Sequence, residues 1–338
     1  MSNSARLNMA LTVHGIPHVM GSLPTKAGER VGEPLGIPGL LDAAMGMGLA
    51  GVELGLPSPE TLPPEAFGEA LAARGLRVVL DFGVLAAAEA GEIRAYLQAA
   101  AALGARVVRV MLSRVLCGDR RALADGWEAH LQRSAERLRE VLPFAEDHGL
   151  CLAMENHQDA TSDDLLRLAE MTGHSPAYGV TLDTGNPLAV AEDPVEYARR
   201  IAPLIRHVHL KDYTLHFAPE GYRLVRCAAG DGVIDFPAIL GIIRRNGHDV
   251  LPGIEIGAQA TRTIPLLEPD WWACYPPTTT TQFLPALCLL WEKGRPQDEP
   301  YSSAWERGAD SATVAAEEWD VLRRSVAYFQ GLTRARGG

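Results

Sequence analysis

Short apolar runs alternate along this chain with longer amphipathic stretches. The runs fall at 7–14 (LNMALTVH), 51–55 (GVELG), 76–82 (LRVVLDF), 106–112 (RVVRVML), 150–155 (LCLAME), 178–183 (YGVTLD), 205–211 (IRHVHLK) and 250–256 (VLPGIEI). Each has the length and residue types of a strand. The segments between them, such as 89–103 and 128–147, are rich in Ala, Leu, Arg and Glu and predict helices. The phrases RGL, LGA and HGL precede strands, which predicts a glycine in the left-handed cap of the helix before. Strands that are apolar on both faces need helices on both sides, so they pair in parallel. Eight of them predict an α/β fold, a single (β/α)8 TIM barrel. A doubly wound sheet is the alternative, but no glycine-rich phosphate loop follows the first strand. Pro252 weakens the first half of the eighth run, because it cannot donate to a ladder.

The rhythm stops near residue 258. Beyond it come Trp271, Trp272 and Tyr275, a Pro-Pro followed by four threonines, a polar linker near 293–303 and a helical segment over 312–332. In that segment Val314, Trp319, Leu322, Val326 and Phe329 form one apolar stripe. The organisation expected is a barrel over 1–257 and a helical and loop appendage over 258–338 packed on it. The Trp pair leaves the eighth strand at the rim where barrel enzymes keep their chemistry, so it serves either as packing or as a lid.

Composition narrows the function. Among 338 residues, 31 Lys and Arg stand against 42 Asp and Glu, a formal net charge of −11. Without a basic stripe this balance argues against a nucleic-acid partner. Five cysteines without close spacing suit a reducing compartment better than a disulfide framework. No apolar stretch approaches the length of a membrane span, and the N-terminal run is broken by His14, Gly15 and Pro17. The expectation is a cytoplasmic protein with no membrane partner.

The chemistry lies at strand ends. Four of them carry acids or histidines in otherwise apolar surroundings: Glu155 in AMENHQD, Asp183 in TLDTGN, His207 and His209 in HVHLKD, and Glu255 in GIEIG. In a parallel barrel these ends meet on one rim. Three carboxylates brought together beside an imidazole call for a compensating cation, and an oxygen-rich donor set suits Mn²⁺, with Mg²⁺, Co²⁺ or Zn²⁺ as alternatives. His157 follows Glu155 by two residues and points the same way, either into the site or into a surface loop. Lys211 shares a side with His207 and His209; it either pairs with Asp212 or binds a substrate oxygen or carboxylate. His207 is expected to pack within the barrel. His14, Arg109 and Glu53 are further rim candidates.

With ENHQD, LDTGN, HVHLKD, GDGVIDF and IEIG, the chain resembles the xylose-isomerase-like barrel superfamily over residues 5–257. That group includes sugar phosphate isomerases and epimerases, inosose dehydratase, ketose epimerases and endonuclease IV. The resemblance implies a metal held by Glu155, Asp183, His209 and Glu255, a carbohydrate substrate and a homo-oligomer, for which the amphipathic tail helix is a candidate interface. Two positions depart from the ketose epimerases: Asn186 stands where they carry a substrate-binding histidine, and Thr161 where they carry a second glutamate. Substrate recognition is therefore expected to differ.

Such a site suits an isomerase or epimerase working through a metal-held enediolate, with Glu155 and Glu255 as ligands and acid/base groups. In the second reading it is a lyase, a dehydratase, decarboxylase or β-eliminating enzyme, on a keto-sugar or sugar-derived keto acid, with His157 as base. In either reading Lys211, Asn186, His14 and Arg109 are the substrate-binding candidates. A non-catalytic sugar-binding or assembly role is a third reading, and the complete ligand set argues against it.

Overall fold

A computed structural model of the chain describes residues 7–257, 260–297 and 302–337. Seven strands run in parallel: β1 (Leu7–Thr12), β2 (Leu49–Leu54), β3 (Arg77–Val84), β4 (Val107–Met111), β5 (Cys151–Glu155), β6 (Tyr178–Asp183) and β7 (Ile205–Leu210). A hairpin of β8 (Asp212–Ala218) and β9 (Gly221–Cys227) follows, and then β10 (Gly253–Ile254) closes the barrel between β7 and β1. This is the (β/α)8 barrel the strand rhythm predicts.

Helices α1 (Gly36–Gly46), α2 (Pro64–Arg74), α3 (Ala90–Ala102), α4 (Trp127–Asp147), α5 (Ser162–Met171), α6 (Pro194–Arg200) and α7 (Phe236–Arg245) cover the outside. Gly75, Gly104 and Gly149 adopt positive φ angles of 58°, 73° and 66°, so the three phrases RGL, LGA and HGL end their helices as expected.

The first and last barrel strands stop short of their apolar runs for local reasons. β1 ends at Thr12, because Val13–Gly15 turn into a 3₁₀ segment whose first free N–H, that of His14, is accepted by the Thr12 hydroxyl at 3.1 Å. The last strand shrinks to two residues directly after Pro252.

The chain beyond 257 is woven into the barrel. β11 (Arg262–Ile264) pairs with β9 and extends the hairpin to three strands. α8 (Pro269–Trp272) brings Trp271 into full burial; its indole donates to the Cys117 carbonyl at 3.1 Å, and Tyr275 donates to the Gly118 carbonyl at 2.7 Å. Arg120 lies over the rings of Trp127 and Tyr275, at 3.8 and 4.1 Å. The aromatic cluster thus packs on the loop after β4.

α9 (Thr280–Lys293) starts at a capping box of Thr279 and Gln282 and turns Leu284, Leu287 and Trp291 to solvent. α10 (Ser311–Gly337) lies against β1 and β10, where the ring needs its eighth helix. Val314, Leu322, Val326 and Phe329 are buried there, and Phe329 meets Phe236 edge-on at 5.0 Å. The apolar stripe expected as an oligomer interface is therefore used within the chain: it covers the barrel's own last gap. No helix among the described residues is long and apolar enough to cross a membrane.

Candidate active site

Successive strand residues alternate between inside and outside, so the pairing register sorts the barrel lumen into layers. At the bottom Ala10, Val79 and Leu251 form a small apolar plug. A Cβ on Gly51 would meet the Leu251 side chain at 2.7 Å, which is why that inward position has none. Above the plug the lumen turns polar, with Glu53, Asp81, Arg109, Glu155, His207 and then Asp183, His209 and Glu255. A Cβ on Gly253 would approach the Glu53 carboxylate to 2.7 Å, so this glycine makes room for a buried acid.

The charged groups interlock. Glu53 accepts from His207 Nε2 at 3.0 Å and from His209 Nε2 at 2.7 Å. The other nitrogen of His209, Nδ1, lies 3.3 Å from Glu155 and 2.6 Å from Glu255. Lys211 Nζ reaches Asp183 at 2.5 Å and Glu255 at 2.9 Å. Arg109 bridges Asp81 and Glu155, each at 2.5 Å, and His14 meets the far oxygen of Asp81 at 2.5 Å. Asn156 aligns β5 with β6 by accepting the Asp183 N–H at 2.6 Å and donating to the Asp183 carbonyl at 3.1 Å. The Asp183 carboxylate also accepts the N–H groups of Gly185 and Asn186, at 2.9 and 3.1 Å.

Burial by itself would neutralise these acids; at Asp183 it prevails over Lys211 and raises the pKa, whereas at three glutamates the cationic neighbours decide otherwise. Against the cost of burial, His209 and His207 hold Glu53 well below the usual carboxylate range. Lys211 and His209 do the same for Glu255, and Arg109 and His209 for Glu155. Burial also disfavours the imidazolium of His209, but Glu53 and Glu255 outweigh it and raise its pKa well above the ordinary value. At His157 burial wins, lowering the pKa to about 4, so the imidazole is neutral at physiological pH.

The sequence-predicted groups fall into three sets. Glu155, Asp183, His209 and Glu255 come together, with donor atoms all within 4.8 Å of one another. His157, within electrostatic reach of Glu155 and Glu255, and Asn186 lie beside them; His157 Nδ1 and both amide atoms of Asn186 are buried without hydrogen bonds. Arg109 and His14 are tied to the cluster through Asp81.

Lys211 does not pair with Asp212. Its ammonium is taken by Asp183 and Glu255, while Asp212 accepts four backbone N–H groups, those of Tyr213, Gly230, Gly232 and Ile234. Thr161 sits outside the cluster as the N-cap of α5, bonded to Asp164. Sequence reading missed Asp81, Asn156 and the hairpin residues Tyr213 and Arg226. The alternation of Tyr213, Leu215 and Phe217, then Tyr222 and Leu224 around a Pro-Glu-Gly turn, was the signal for the hairpin.

The donor set fits a divalent cation. Glu53 fixes the proton of His209 on Nε2 and aims Nδ1 at the carboxylates, the arrangement by which an outer acid orients a histidine ligand. Oε2 of Glu155 and Oε2 of Glu255 are buried without a hydrogen bond, although charged groups lie beside both. Three carboxylates and one imidazole suit an oxygen-preferring ion.

A closed parallel barrel with this cluster at the carboxyl ends of its strands defines a class, and the chain belongs to the xylose isomerase-like TIM barrel family, whose description matches residues 41–270. It is 28% identical over 232 residues to a 3-oxo-isoapionate decarboxylase from Pectobacterium atrosepticum, covering 67% of this chain and 79% of that protein. It is 30% identical over 132 residues to an inosose dehydratase from Clostridium beijerinckii, where the match spans 34% of this chain and 43% of that enzyme. In three dimensions it resembles an L-ribulose 3-epimerase with a TM-score of 0.56, at 16% identity and 98% coverage of both chains.

Proposed function

We propose that this chain is a lyase acting on a keto-sugar or sugar-derived keto acid with the help of a divalent cation, Mn²⁺ by preference. The observation that carries the reading is the placement of His157. Its buried Nδ1 has no hydrogen bond beside the cluster, whereas the second acid of the ketose epimerases is replaced by Thr161, which is occupied in capping a helix. The two sequence relatives described above, a decarboxylase and a dehydratase, support a lyase outcome.

When bound, the cation polarises a carbonyl and its neighbouring hydroxyl and so acidifies the C–H bond between them. The chain supplies the rest. Glu155, Asp183, His209 and Glu255 hold the cation, and Arg109 and Glu53 keep Glu155 and His209 in place. His157 takes the C–H proton on Nδ1. In a dehydration the same imidazolium returns that proton to the departing β-hydroxyl, which leaves as water. Asn186 offers a donor and an acceptor to substrate hydroxyls.

An isomerase or epimerase outcome is favoured by one feature, the approach of both Glu155 and Glu255 to His209 Nδ1. Carboxylates on two sides of a bound substrate can remove a proton from one face and return it to the other.

The test is incubation of the Mn²⁺-loaded protein with ketoses, inososes and 3-keto sugar acids in D₂O, followed by NMR. Loss of water or CO₂ is expected, and a loss of water should vanish in His157→Asn. Deuterium incorporation without loss of any group would overturn the lyase reading in favour of the isomerase one.

A further inference from the structure

The hairpin and β11 form a roof whose two faces differ. Register places Tyr213 opposite Arg226, Leu215 opposite Leu224, and Leu224 opposite Arg262. Paired residues and those two apart share a face, so Tyr213, Leu215, Leu224, Arg226 and Arg262 all lie on one side. That side is turned to the barrel: Tyr213, Leu215 and Leu224 are fully buried, and the Tyr213 ring lies so close to Gly185 that a Cβ there would meet it at 2.5 Å. Gly185 stands between Asp183 and Asn186, so the inner face of the roof overhangs the cluster.

The acids below it are already matched. Glu53 faces His207 and His209, Asp81 faces Arg109 and His14, Glu155 faces Arg109, and Asp183 and Glu255 face Lys211. The two roof arginines are not. Among the described residues neither forms a salt bridge. Arg226 donates to the Gly257 carbonyl at 3.0 Å and lies beside Tyr213; Arg262 has Glu306 within electrostatic reach but no salt bridge to it, and its Nε is buried without any hydrogen bond. The two guanidiniums also repel one another, and Arg226 lies within electrostatic reach of Glu255 and Asp183. A guanidinium keeps its charge when buried, so the roof presents a surplus of positive charge and unused donors to whatever lies beneath it.

We propose that Arg226 and Arg262 form a subsite for a substrate carboxylate, so that the natural substrate is an acid sugar and the tail residue Arg262 sets that specificity. This rests on the keto-sugar reading above and narrows it.

The test is calorimetric binding of three probes to the full chain: 2-keto-D-gluconate, D-fructose and D-fructose 6-phosphate. The keto acid should bind at least tenfold more tightly than fructose. Arg262→Gln should erase that advantage and leave fructose binding unchanged, and Arg262→Lys should restore only part of it. A melt of each variant checks the fold, and Arg226→Gln provides a second variant should Arg262→Gln unfold. No advantage of the keto acid over fructose in the wild type, an advantage that survives both glutamine variants, or tighter binding of the phosphate ester would overturn the carboxylate subsite. Binding needs no turnover, so its failure is separate from failure of the lyase reading, which only the NMR products decide.

Discussion

Glu53 Oε1 accepts the Nε2 proton of His209 at 2.7 Å, a hydrogen bond between β2 and β7 across the barrel lumen. It fixes which nitrogen of His209 faces the carboxylates. Replacing Glu53 by Gln keeps the size but removes the charge that holds that tautomer. Divalent-cation affinity should fall about 10- to 100-fold, read by calorimetric titration, with the melting temperature confirming that the barrel is still closed. Unchanged affinity would mean that the ring is oriented by its packing alone.

Cation binding should release a proton. In the metal-free protein the His209 imidazolium lies among Glu53, Glu155 and Glu255, and a cation on Nδ1 must displace its proton. Binding enthalpies measured in buffers of different ionisation heat should therefore differ by about one proton's worth, and affinity should weaken on acidification. At a free ion concentration of 100 Kd the cation should add about 2.7 kcal/mol of stability, seen as a higher melting temperature that EDTA reverses.

Asp212 organises the turn before α7. Each of its oxygens accepts two backbone N–H groups, Oδ2 from Gly230 and Gly232 and Oδ1 from Tyr213 and Ile234. In Asp212→Asn, either amide orientation sets an NH₂ against two N–H donors. The expected cost is about 2–3 kcal/mol in chemical denaturation. A cost below about 0.5 kcal/mol would show that the turn holds without it.

Glu318 anchors α10 to the loop after β1 by accepting the N–H groups of His18 and Val19, at 3.1 and 2.9 Å. Burial raises its pKa from 4.5 to about 7, in spite of those two donors. A raised folded-state pKa stabilises the fold fully below the unfolded value, and that contribution is lost as pH climbs through the folded one. Between pH 5 and 8 the wild type should therefore lose stability relative to Glu318→Gln, by up to about 3 kcal/mol. Parallel pH profiles for the two proteins would refute the assignment.

The strand ends were legible because period-two alternation sets Glu155, Asp183, His209 and Glu255 against apolar neighbours, and a parallel barrel gathers such ends on one rim. Asp81 was harder to see: it ends an apolar run as a turn residue would, and only its register opposite Arg109 makes it inward. Arg226 and Arg262 were out of reach of a local pattern. They meet through a pairing of β9 with β11 that spans 38 residues, and no periodicity within either strand encodes it. The T-x-x-Q capping box of α9 was readable, but the prolines and threonines around it masked the helix. Likewise, the stripe on α10 shows an apolar face without showing what lies under it.

The position of α10 bears on how the molecule is made. It fills the gap beside β1, which precedes the other barrel strands in the chain, and Glu318 completes hydrogen bonds 300 residues away at His18. Until α10 has been synthesised, the outer surface of β1 has no cover, and two backbone N–H groups await their acceptor. Contacts of such sequence separation form late and slowly. The growing chain must pass through a stage with seven helices in place and one apolar flank bare, the interval in which it is most exposed to aggregation.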